Sequence, residues 1–216
     1  MSSKRIVRKI ALGLTLSLLA APLAAQAARA PQRETAVFAG GCFWGIQNLF
    51  EHVKGVVQAT AGYSGGREAT ASYHVVGTGA TGHAESVKVV FDPGVVSYET
   101  LVKVFLTVGH DPTELNRQGP DEGTQYRSAI FYATPVQMRI AHAVIDSLGR
   151  ARTWPRPIVT EVSPLNGFFE AEAYHQDYAI LHPTDPYIFI NDRPKAIHLH
   201  ERYPDLFKEE PVRYSR

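Results

Sequence analysis

Apolar residues recur at every second position in some segments and with helical spacing in others, which predicts alternating strands and helices. Strands are predicted at residues 34–39, 56–63, 84–91, 125–133 and 157–162. Helices are predicted at residues 42–53, 98–108, 135–148 and near 170–180. This order predicts an α+β fold: a two-layer mixed sheet with helices, like an elaborated ferredoxin-like split βαβ arrangement.

Three segments of the chain show neither the two-residue alternation of a strand nor the spacing of a helix. Residues 64–82 are rich in Gly, Ser and Thr, and residues 109–124 contain Asp, Pro, Gly and Asn throughout. Long loops inside a compact domain are usually functional or disordered, and the Tyr, His and Asp residues here favour a functional role. The chain after the helix near 170–180 is predicted to be mostly irregular.

The N-terminal residues of the chain follow a different pattern. Basic residues come first, at Lys4, Arg5, Arg8 and Lys9. The apolar run that follows, residues 10–19, is too short to span a bilayer. Pro22 ends this run, and the small residues around Gln26 suit a signal peptidase. We therefore expect a secretory signal peptide over residues 1–27 and a single domain over residues 28–216, with an uncleaved anchor as the alternative.

The composition limits the classes of molecule that the protein is expected to bind and the compartment in which it is expected to act. The 22 Lys and Arg residues nearly balance the 21 Asp and Glu residues, so no broad basic field points to nucleic acid. The N-terminal pattern resembles a bacterial export signal, so we expect the periplasm, and a monomer is the default for this composition. Exported proteins usually pair their cysteines, whereas this chain has one. An unpaired thiol in that setting indicates reactivity.

Cys42 is that cysteine, and it lies in the run AGGCFWG between a predicted strand and a predicted helix. A sulfur at such a turn lies near unpaired backbone N–H groups and the positive end of the helix dipole, which favour the thiolate. The alternative is a small buried hydrophobic residue, since free cysteine is among the most buried residue types. The flanking glycines and aromatic residues favour the reactive thiolate.

Glu85 is a carboxyl group on the apolar side of a predicted strand. Alternation along the strand places it on one face with Val87, Val89 and Phe91. Burial without a cation raises the pKa of a carboxyl group, and a neutral acid near pH 7 can donate a proton. The alternative is that Glu85 lies at the end of the strand and points into water.

A nucleophilic sulfur and a neutral acid together suit few reactions. A cysteine hydrolase needs a base beside its sulfur, usually a histidine. An acid is needed instead where the sulfur attacks and an oxygen must leave as hydroxide or water. The two residues therefore indicate the reduction of an oxidised sulfur.

Four separated segments resemble the A-type peptide methionine sulfoxide reductases (methionine-S-sulfoxide reductases), in the order that this family has. They are residues 41–45 (GCFWG), 81–93 (from TGHAE), 118–128 (QGPDEGTQYRS) and 168–178 (FFEAEAYHQDY). The resemblance covers about residues 35–207. It makes residues 28–216 a single catalytic reductase domain.

The resemblance implies a role for each of five residues. Cys42 attacks the sulfoxide sulfur, and Glu85, as a neutral acid, protonates the sulfoxide oxygen. Tyr73 and Tyr126 match family tyrosines that hydrogen-bond this oxygen. Asp121 matches a family acid that supports binding and proton handling. Methionine then leaves, and Cys42 remains as a sulfenic acid, the first and reversible product of thiol oxidation.

The resemblance also implies a pocket and a reductant. Phe43 and Trp44 would enclose the S-methyl group of a free or protein-bound methionine-S-sulfoxide, which makes the enzyme a repair enzyme after oxidative damage. Many family members carry further cysteines near the C-terminus that resolve the sulfenic acid, and this chain has none. We therefore expect no cofactor and no metal, and recycling by a thioredoxin-like protein or a small thiol.

Each of these residues also has a plainer interpretation. Phe43 and Trp44 are core residues in that interpretation, the two tyrosines are sheet residues with satisfied hydroxyl groups, and Asp121 makes a turn. A second enzyme hypothesis is a cysteine hydrolase or acyltransferase that uses Cys42 with His175 or another histidine. A non-enzyme hypothesis is a metal-binding module around His198 and His200, although no known ligand spacing supports it.

Overall fold

A six-stranded sheet forms the centre of the protein in the computed structural model, which describes residues 32–215. The eight strands of the described chain are β1 Glu34–Gly40, β2 Val56–Ser64, β3 Ala84–Phe91, β4 Arg117–Gln118, β5 Asp121–Glu122, β6 Ser128–Tyr132, β7 Glu161–Pro164 and β8 Phe168–Glu170. The sheet has the order β7-β6-β1-β3-β2-β8, while β4 and β5 form a separate two-stranded ribbon. Within the sheet only the β6–β7 pair is parallel. The predicted signal peptide lies outside the described residues.

Six α-helices accompany the sheet in the described chain: α1 Phe43–Glu51, α2 Tyr73–Val76, α3 Tyr98–Val104, α4 Pro135–Arg150, α5 Tyr178–Leu181 and α6 Arg193–Arg202. Two π-helical turns, Phe105–Gly109 and Ile188–Asp192, extend α3 and precede α6. Within residues 32–215, no helix is both long enough and apolar enough to cross a bilayer.

The connections follow the predicted split βαβ arrangement. Strands β1 and β2 are joined through α1, and β3 lies between them in the sheet. Strands β3 and β6 are joined through α3, and β1 lies between these two. Each βαβ unit is therefore split by a strand of the other unit, and the predicted α+β class is confirmed.

Both faces of the central strands are buried, because the sheet is covered on two sides. On one face Phe38 packs with its ring centroid 5.1 Å from Phe50 and 4.9 Å from Phe105. On the other face Val37 and Ala39 belong to a smaller cluster, against which Phe168 packs. Consecutive residues of β1 point to opposite faces, so the strand is apolar along its whole buried length.

Several predicted boundaries were wrong. The strand predicted at residues 125–133 begins only at Ser128, because a 3₁₀ turn over Thr124–Tyr126 precedes it. Tyr126 therefore does not alternate with the residues of β6. The strand predicted at 157–162 lies at Glu161–Pro164, and the predicted helix 98–108 changes from α to π geometry after Val104.

The predicted loops and the C-terminal tail hold more structure than their polarity indicates. Residues 64–82 contain α2, and residues 109–124 contain the β4–β5 ribbon. The tail forms the π turn and α6, whose Leu199 is completely buried. The expectation of a mostly irregular tail was therefore wrong, since tertiary packing and a proline in the first turn of α6 support a helix with weak amphipathic character.

Candidate active site

The turn between β1 and α1 places Cys42 at the N-cap of α1. Gly41 just before it has a φ of 90°, a backbone conformation that side chains with a Cβ rarely adopt. A Cβ on Gly41 would also lie 2.7 Å from the side chain of Gln118. The glycine therefore allows the loop that carries Gln118 to pack directly against the turn.

Gly45 allows a second close approach, from the C-terminal part of the chain. A Cβ on Gly45 would lie 2.0 Å from Oδ1 of Asp192. Asp192 is completely buried and accepts a hydrogen bond of 2.7 Å from Nζ of Lys195. This ion pair lies where a larger residue on α1 would stand, so the GCFWG run positions the C-terminal segment as well as the sulfur.

All seven of the predicted site residues line one cavity of about 220 Å³. They come from the β1–α1 turn, α2, β3, β5 and the turn before β6. Tyr187, which no sequence pattern indicated, completes the wall beside Cys42, Phe43, Trp44, Tyr73, Glu85, Asp121 and Tyr126. Residues far apart in sequence thus converge on the one cysteine.

Glu85 is buried, with 4% of its surface exposed. Its Oε2 accepts a hydrogen bond of 3.0 Å from the backbone N–H of Phe43. Burial raises the pKa of Glu85 to about 8, the Phe43 N–H opposes this shift, and Asp121 and Asp192 add to it. The carboxyl group is therefore neutral at pH 7, and the alternative that it points into water is excluded.

Cys42 is half-buried, and its pKa is raised well above the usual value for a thiol. Burial is the largest cause, followed by Glu85 and Asp192, while a hydrogen bond from the backbone N–H of Trp44 lowers the pKa. The expected thiolate was therefore wrong for the substrate-free site, because burial and nearby acids outweigh the helix terminus. Since charge on Cys42 disfavours charge on Glu85, the site holds both protons near neutral pH.

Tyr73 and Tyr126 present free hydroxyl groups to the cavity. Within residues 32–215, neither hydroxyl has a hydrogen-bond partner, so the interpretation of satisfied sheet residues does not hold. Burial raises the pKa of both tyrosines, which keeps them protonated. Tyr73 is held by its backbone N–H, which donates to Glu172 Oε1 at 2.9 Å.

Asp121 faces the cavity from β5 and accepts a hydrogen bond from the hydroxyl of Tyr187. Burial raises the pKa of Asp121, while Tyr187 and Lys195 both lower it. Asp121 is thus more than a turn residue. No sequence signal marked Tyr187, because it lies in the C-terminal segment that was predicted to be mostly irregular.

Trp44 is held on three sides. Its indole N–H donates to Nδ1 of His175 at 3.1 Å, and its ring stacks on Tyr178 at a centroid distance of 3.8 Å. The edge of Tyr187 contacts it at a centroid distance of 6.1 Å. Phe43, almost fully buried, packs 4.9 Å from the His175 ring. The two aromatic residues therefore belong both to the core and to the wall of the cavity.

The structure does not place His175 as a base beside Cys42, as the first form of the hydrolase hypothesis requires. His175 is buried, its Nδ1 is occupied by Trp44, and it does not line the cavity that contains Cys42. Burial also lowers its pKa, so it is neutral. His110 and His198 line a neighbouring cavity that also contains Cys42. The ring nitrogens of His110 are engaged with Phe105 O at 3.1 Å and Ser128 Oγ at 2.6 Å, while His198 is an exposed residue of α6.

Among the described residues, the structure shows no set of metal ligands that supports the metal-binding hypothesis. His198 and His200 lie on α6, where the ring of His200 packs against Phe207 at a centroid distance of 4.6 Å. Between residues 32 and 215, no group of three or more His, Cys, Asp or Glu residues is arranged to hold a metal ion.

Comparison with known proteins agrees with this geometry. The family model described as "Peptide methionine sulfoxide reductase" matches residues 34–206. The "Peptide methionine sulfoxide reductase MsrA 2" of Mesorhizobium japonicum is 53% identical over 183 residues, which cover 85% of this chain and 94% of that protein. The protein of the same name from Synechocystis is 51% identical over 175 residues, covering 81% and 82%.

Solved structures show the same fold. The reduced form of Mxr1 from Saccharomyces cerevisiae has a TM-score of 0.65 at 31% identity, over 71% of this chain and 87% of that one. Methionine sulfoxide reductase A of Corynebacterium diphtheriae has a TM-score of 0.64 at 37% identity, over 72% and 78%. The fold and the site therefore define a thiol-dependent oxidoreductase. The chain belongs to the peptide methionine sulfoxide reductase A family.

Proposed function

We propose that this enzyme reduces methionine-S-sulfoxide to methionine with Cys42 as nucleophile and Glu85 as acid. The observation that carries the proposal is their presence in one small cavity with a neutral Glu85. A neutral carboxylic acid beside a sulfur nucleophile suits the departure of an oxygen, because it can protonate that oxygen as the S–O bond breaks. The restriction to the S epimer follows from the family, since one enzyme class serves each epimer.

Substrate binding uses the two sides of the cavity differently. Trp44 and Phe43 form an apolar wall that suits the S-methyl group. The hydroxyl groups of Tyr73 and Tyr126 and the acid of Glu85 are donors that suit the sulfoxide oxygen. Because these donors are in place before substrate arrives, they stabilise the charge that develops on the oxygen.

The first half-reaction balances without an outside proton. The sulfur of Cys42 attacks the sulfoxide sulfur while Glu85 gives its proton to the oxygen and takes up the proton of the thiol. The hydroxyl group then passes to Cys42, and methionine leaves with the electron pair of its sulfur. In sum, the thiol and the sulfoxide become a sulfenic acid and a thioether. Asp121, linked to Tyr187, lies where it can assist these proton transfers.

Recycling requires an external thiol, because Cys42 is the only cysteine of the chain. One thiol converts the sulfenic acid into a mixed disulfide and water, and a second thiol releases Cys42 and a disulfide. The reductant is a thioredoxin-like protein or a small thiol. No bound cofactor takes part in this scheme.

The cellular setting belongs to the same proposal. A signal peptide over residues 1–27 would export the enzyme to the periplasm, where it would repair oxidised proteins as a monomer. The N-terminal sequence of the enzyme recovered from a periplasmic fraction tests this: we expect it to begin at Ala28. Size-exclusion chromatography of the same material tests the monomer.

The reaction itself is tested by a single turnover without reductant. The enzyme is mixed with a peptide that contains methionine-S-sulfoxide, with the R epimer and the Cys42→Ser variant as matched controls. We expect one methionine per enzyme, one sulfenic acid trappable at Cys42, and no product in either control. Several turnovers without a thiol, or no methionine at all, would contradict the proposal.

A further inference from the structure

Cys42 lines a second cavity besides the one already described. This cavity has a volume of about 200 Å³ and shares only Cys42, Asp121 and Tyr187 with the first. The rest of its wall comes from other parts of the chain, chiefly the loop at Gln118 and the helix α6 with Lys195 and His198. The sulfur is therefore reached by two cavities, and the hydrogen-bonded Asp121 and Tyr187 stand where they meet.

In the proposed reaction, the sulfoxide and the reducing thiol must reach the sulfur of Cys42 from different directions. A thiolate that attacks a sulfenic sulfur must come in line with the bond to the departing hydroxyl group, from the far side. The hydroxyl group derives from the sulfoxide oxygen, so it starts on the side of Glu85, Tyr73 and Tyr126. The cavity that lacks these three residues offers a separate approach to the sulfur.

We propose that the second cavity is the path by which a low-molecular-weight thiol reaches the sulfenic acid of Cys42, with Lys195 and His198 beside the incoming thiolate. The inference rests on the proposed function, since it needs the sulfenic acid as a substrate. The thiolate sulfur bonds to the sulfur of Cys42 as the S–O bond breaks, and Glu85 gives its proton to the oxygen, which leaves as water. The proton that the thiol lost when it ionised then returns to Glu85 through solvent.

The walls of this cavity are held in place by hydrogen bonds. Oε1 of Gln118 accepts from the Asp111 N–H at 2.8 Å, and its Nε2 donates to Glu114 at 2.9 Å. Opposite, Nζ of Lys195 donates to Asn191 O at 3.0 Å and to Asp192 at 2.7 Å. An ammonium group has three N–H donors, so one remains for a ligand in the cavity.

The size of the cavity and the remaining donor of Lys195 favour a small thiol over a protein. A volume of about 200 Å³ suits a molecule of a few heavy atoms but not a protein loop. After its bonds to Asn191 and Asp192, Nζ of Lys195 has one N–H left that can donate to the sulfur of an incoming thiolate. His198 is exposed at the outer part of α6, one turn from Lys195, where a larger side chain would narrow the entrance.

The test separates the two half-reactions in the variant His198→Trp. Ile197→Trp is the matched control, because Ile197 is an exposed neighbour on α6 that does not line the cavity. The first half-reaction is the burst of methionine from a methionine-S-sulfoxide peptide without reductant. The second is the reduction of the preformed sulfenic acid by 2-mercaptoethanol, measured as a second-order rate constant.

We expect His198→Trp to lower the second rate constant by about tenfold, within the range over which association rates vary among variants of one site, because the larger side chain narrows the entrance. The burst should keep its normal rate. Ile197→Trp should retain both rates. Equal second rate constants in His198→Trp and Ile197→Trp would overturn the inference, as would slowing of both half-reactions together. Slowing seen only with a reduced thioredoxin-like protein, and not with 2-mercaptoethanol, would also overturn it. Absence of the burst in the unmodified enzyme would instead contradict the proposed function.

Discussion

The turn at residues 40–45 and the C-terminal segment at residues 187–195 meet at the same sulfur, but they differ in how much their sequences reveal. The turn carries glycines, a cysteine and two aromatic residues in one run, and this run predicts a chemical function. The C-terminal segment has no such run, yet it supplies Tyr187 to the cavity and the Asp192–Lys195 ion pair to the turn. An active site can therefore depend on a segment whose sequence shows no function.

The physical reason lies in Gly45. Its missing side chain leaves the space in which Asp192 lies against α1. The motif thus includes a residue whose purpose is to accept another part of the chain, and the partner of that contact has no motif of its own. Substitutions made separately in the turn and in the C-terminal segment measure how far the two segments depend on each other.

The largest expected effect comes from the motif-bearing part of the site, at Glu85. Glu85→Gln keeps an acceptor for the Phe43 N–H but has no proton to give. We expect the single-turnover rate at pH 7 to fall by about 10²–10⁴-fold, the usual contribution of a general acid. In the unmodified enzyme the rate should fall as pH rises through about 8, where Glu85 loses its proton. A variant that keeps the full rate and the same pH profile would show that Glu85 is not the acid.

The same substitution should also remove a pH dependence of stability. The pKa of an unfolded glutamate is about 4.3, whereas burial raises the pKa of Glu85 to about 8 in the fold. The folded state binds more protons between these values, so stability falls as pH rises through this range. Between pH 4 and pH 8, Glu85→Gln should gain roughly 4 kcal/mol of unfolding free energy relative to the unmodified protein. Urea unfolding at both pH values measures this, and parallel pH dependence in both proteins would contradict the buried neutral acid.

Gly45→Ala breaks the contact between the two segments. The added Cβ would lie 2.0 Å from a buried carboxylate oxygen, so the C-terminal segment must move. We expect a loss of roughly 2 kcal/mol of unfolding free energy, as for overpacked cores, and a raised KM because Tyr187 moves with the segment. Thermal or urea unfolding and steady-state kinetics measure the two effects.

Gly149→Ala on α4 is the matched control for that substitution. Its Cβ would meet no atom within 4 Å, so the change should only improve helix propensity, by about 0.5–1 kcal/mol. If both variants lose stability equally, the contact between Gly45 and Asp192 is not the cause.

Tyr187→Phe tests the smallest expected effect, the contribution of the C-terminal segment to chemistry. It removes the hydrogen bond that lowers the pKa of Asp121, while the ring that contacts Trp44 remains. We expect kcat/KM to fall by about tenfold, equal to one lost hydrogen bond to a charged group, and the pKa of Asp121 to rise. Tyr174→Phe, at an exposed tyrosine outside the cavity, should leave both unchanged. Equal activities of the two variants would assign Tyr187 a packing role only.

Features that depend on local geometry were predicted correctly, whereas features that depend on contacts between distant segments were not. Alternation placed Glu85 on the apolar face, and the structure has it buried there, since a period of two residues needs only local geometry. The protonation state of Cys42 was mispredicted because its pKa depends first on burial and then on Glu85 and Asp192, all of which come from segments distant in sequence. Tyr126 was assigned to a strand because a 3₁₀ turn and a strand are hard to distinguish from a short apolar pattern.

The amino-acid sequence by itself determined the class of the fold and singled out Cys42 and Glu85, the residues that we propose as nucleophile and acid. Their signals are periodicity and a compact motif, both of which are local properties of the chain. Only the tertiary structure decided that Tyr187 joins the cavity, that both protons stay on the site, and that a second cavity reaches Cys42. These depend on burial and on charges brought together from distant segments, and such distances exist only after the chain has folded.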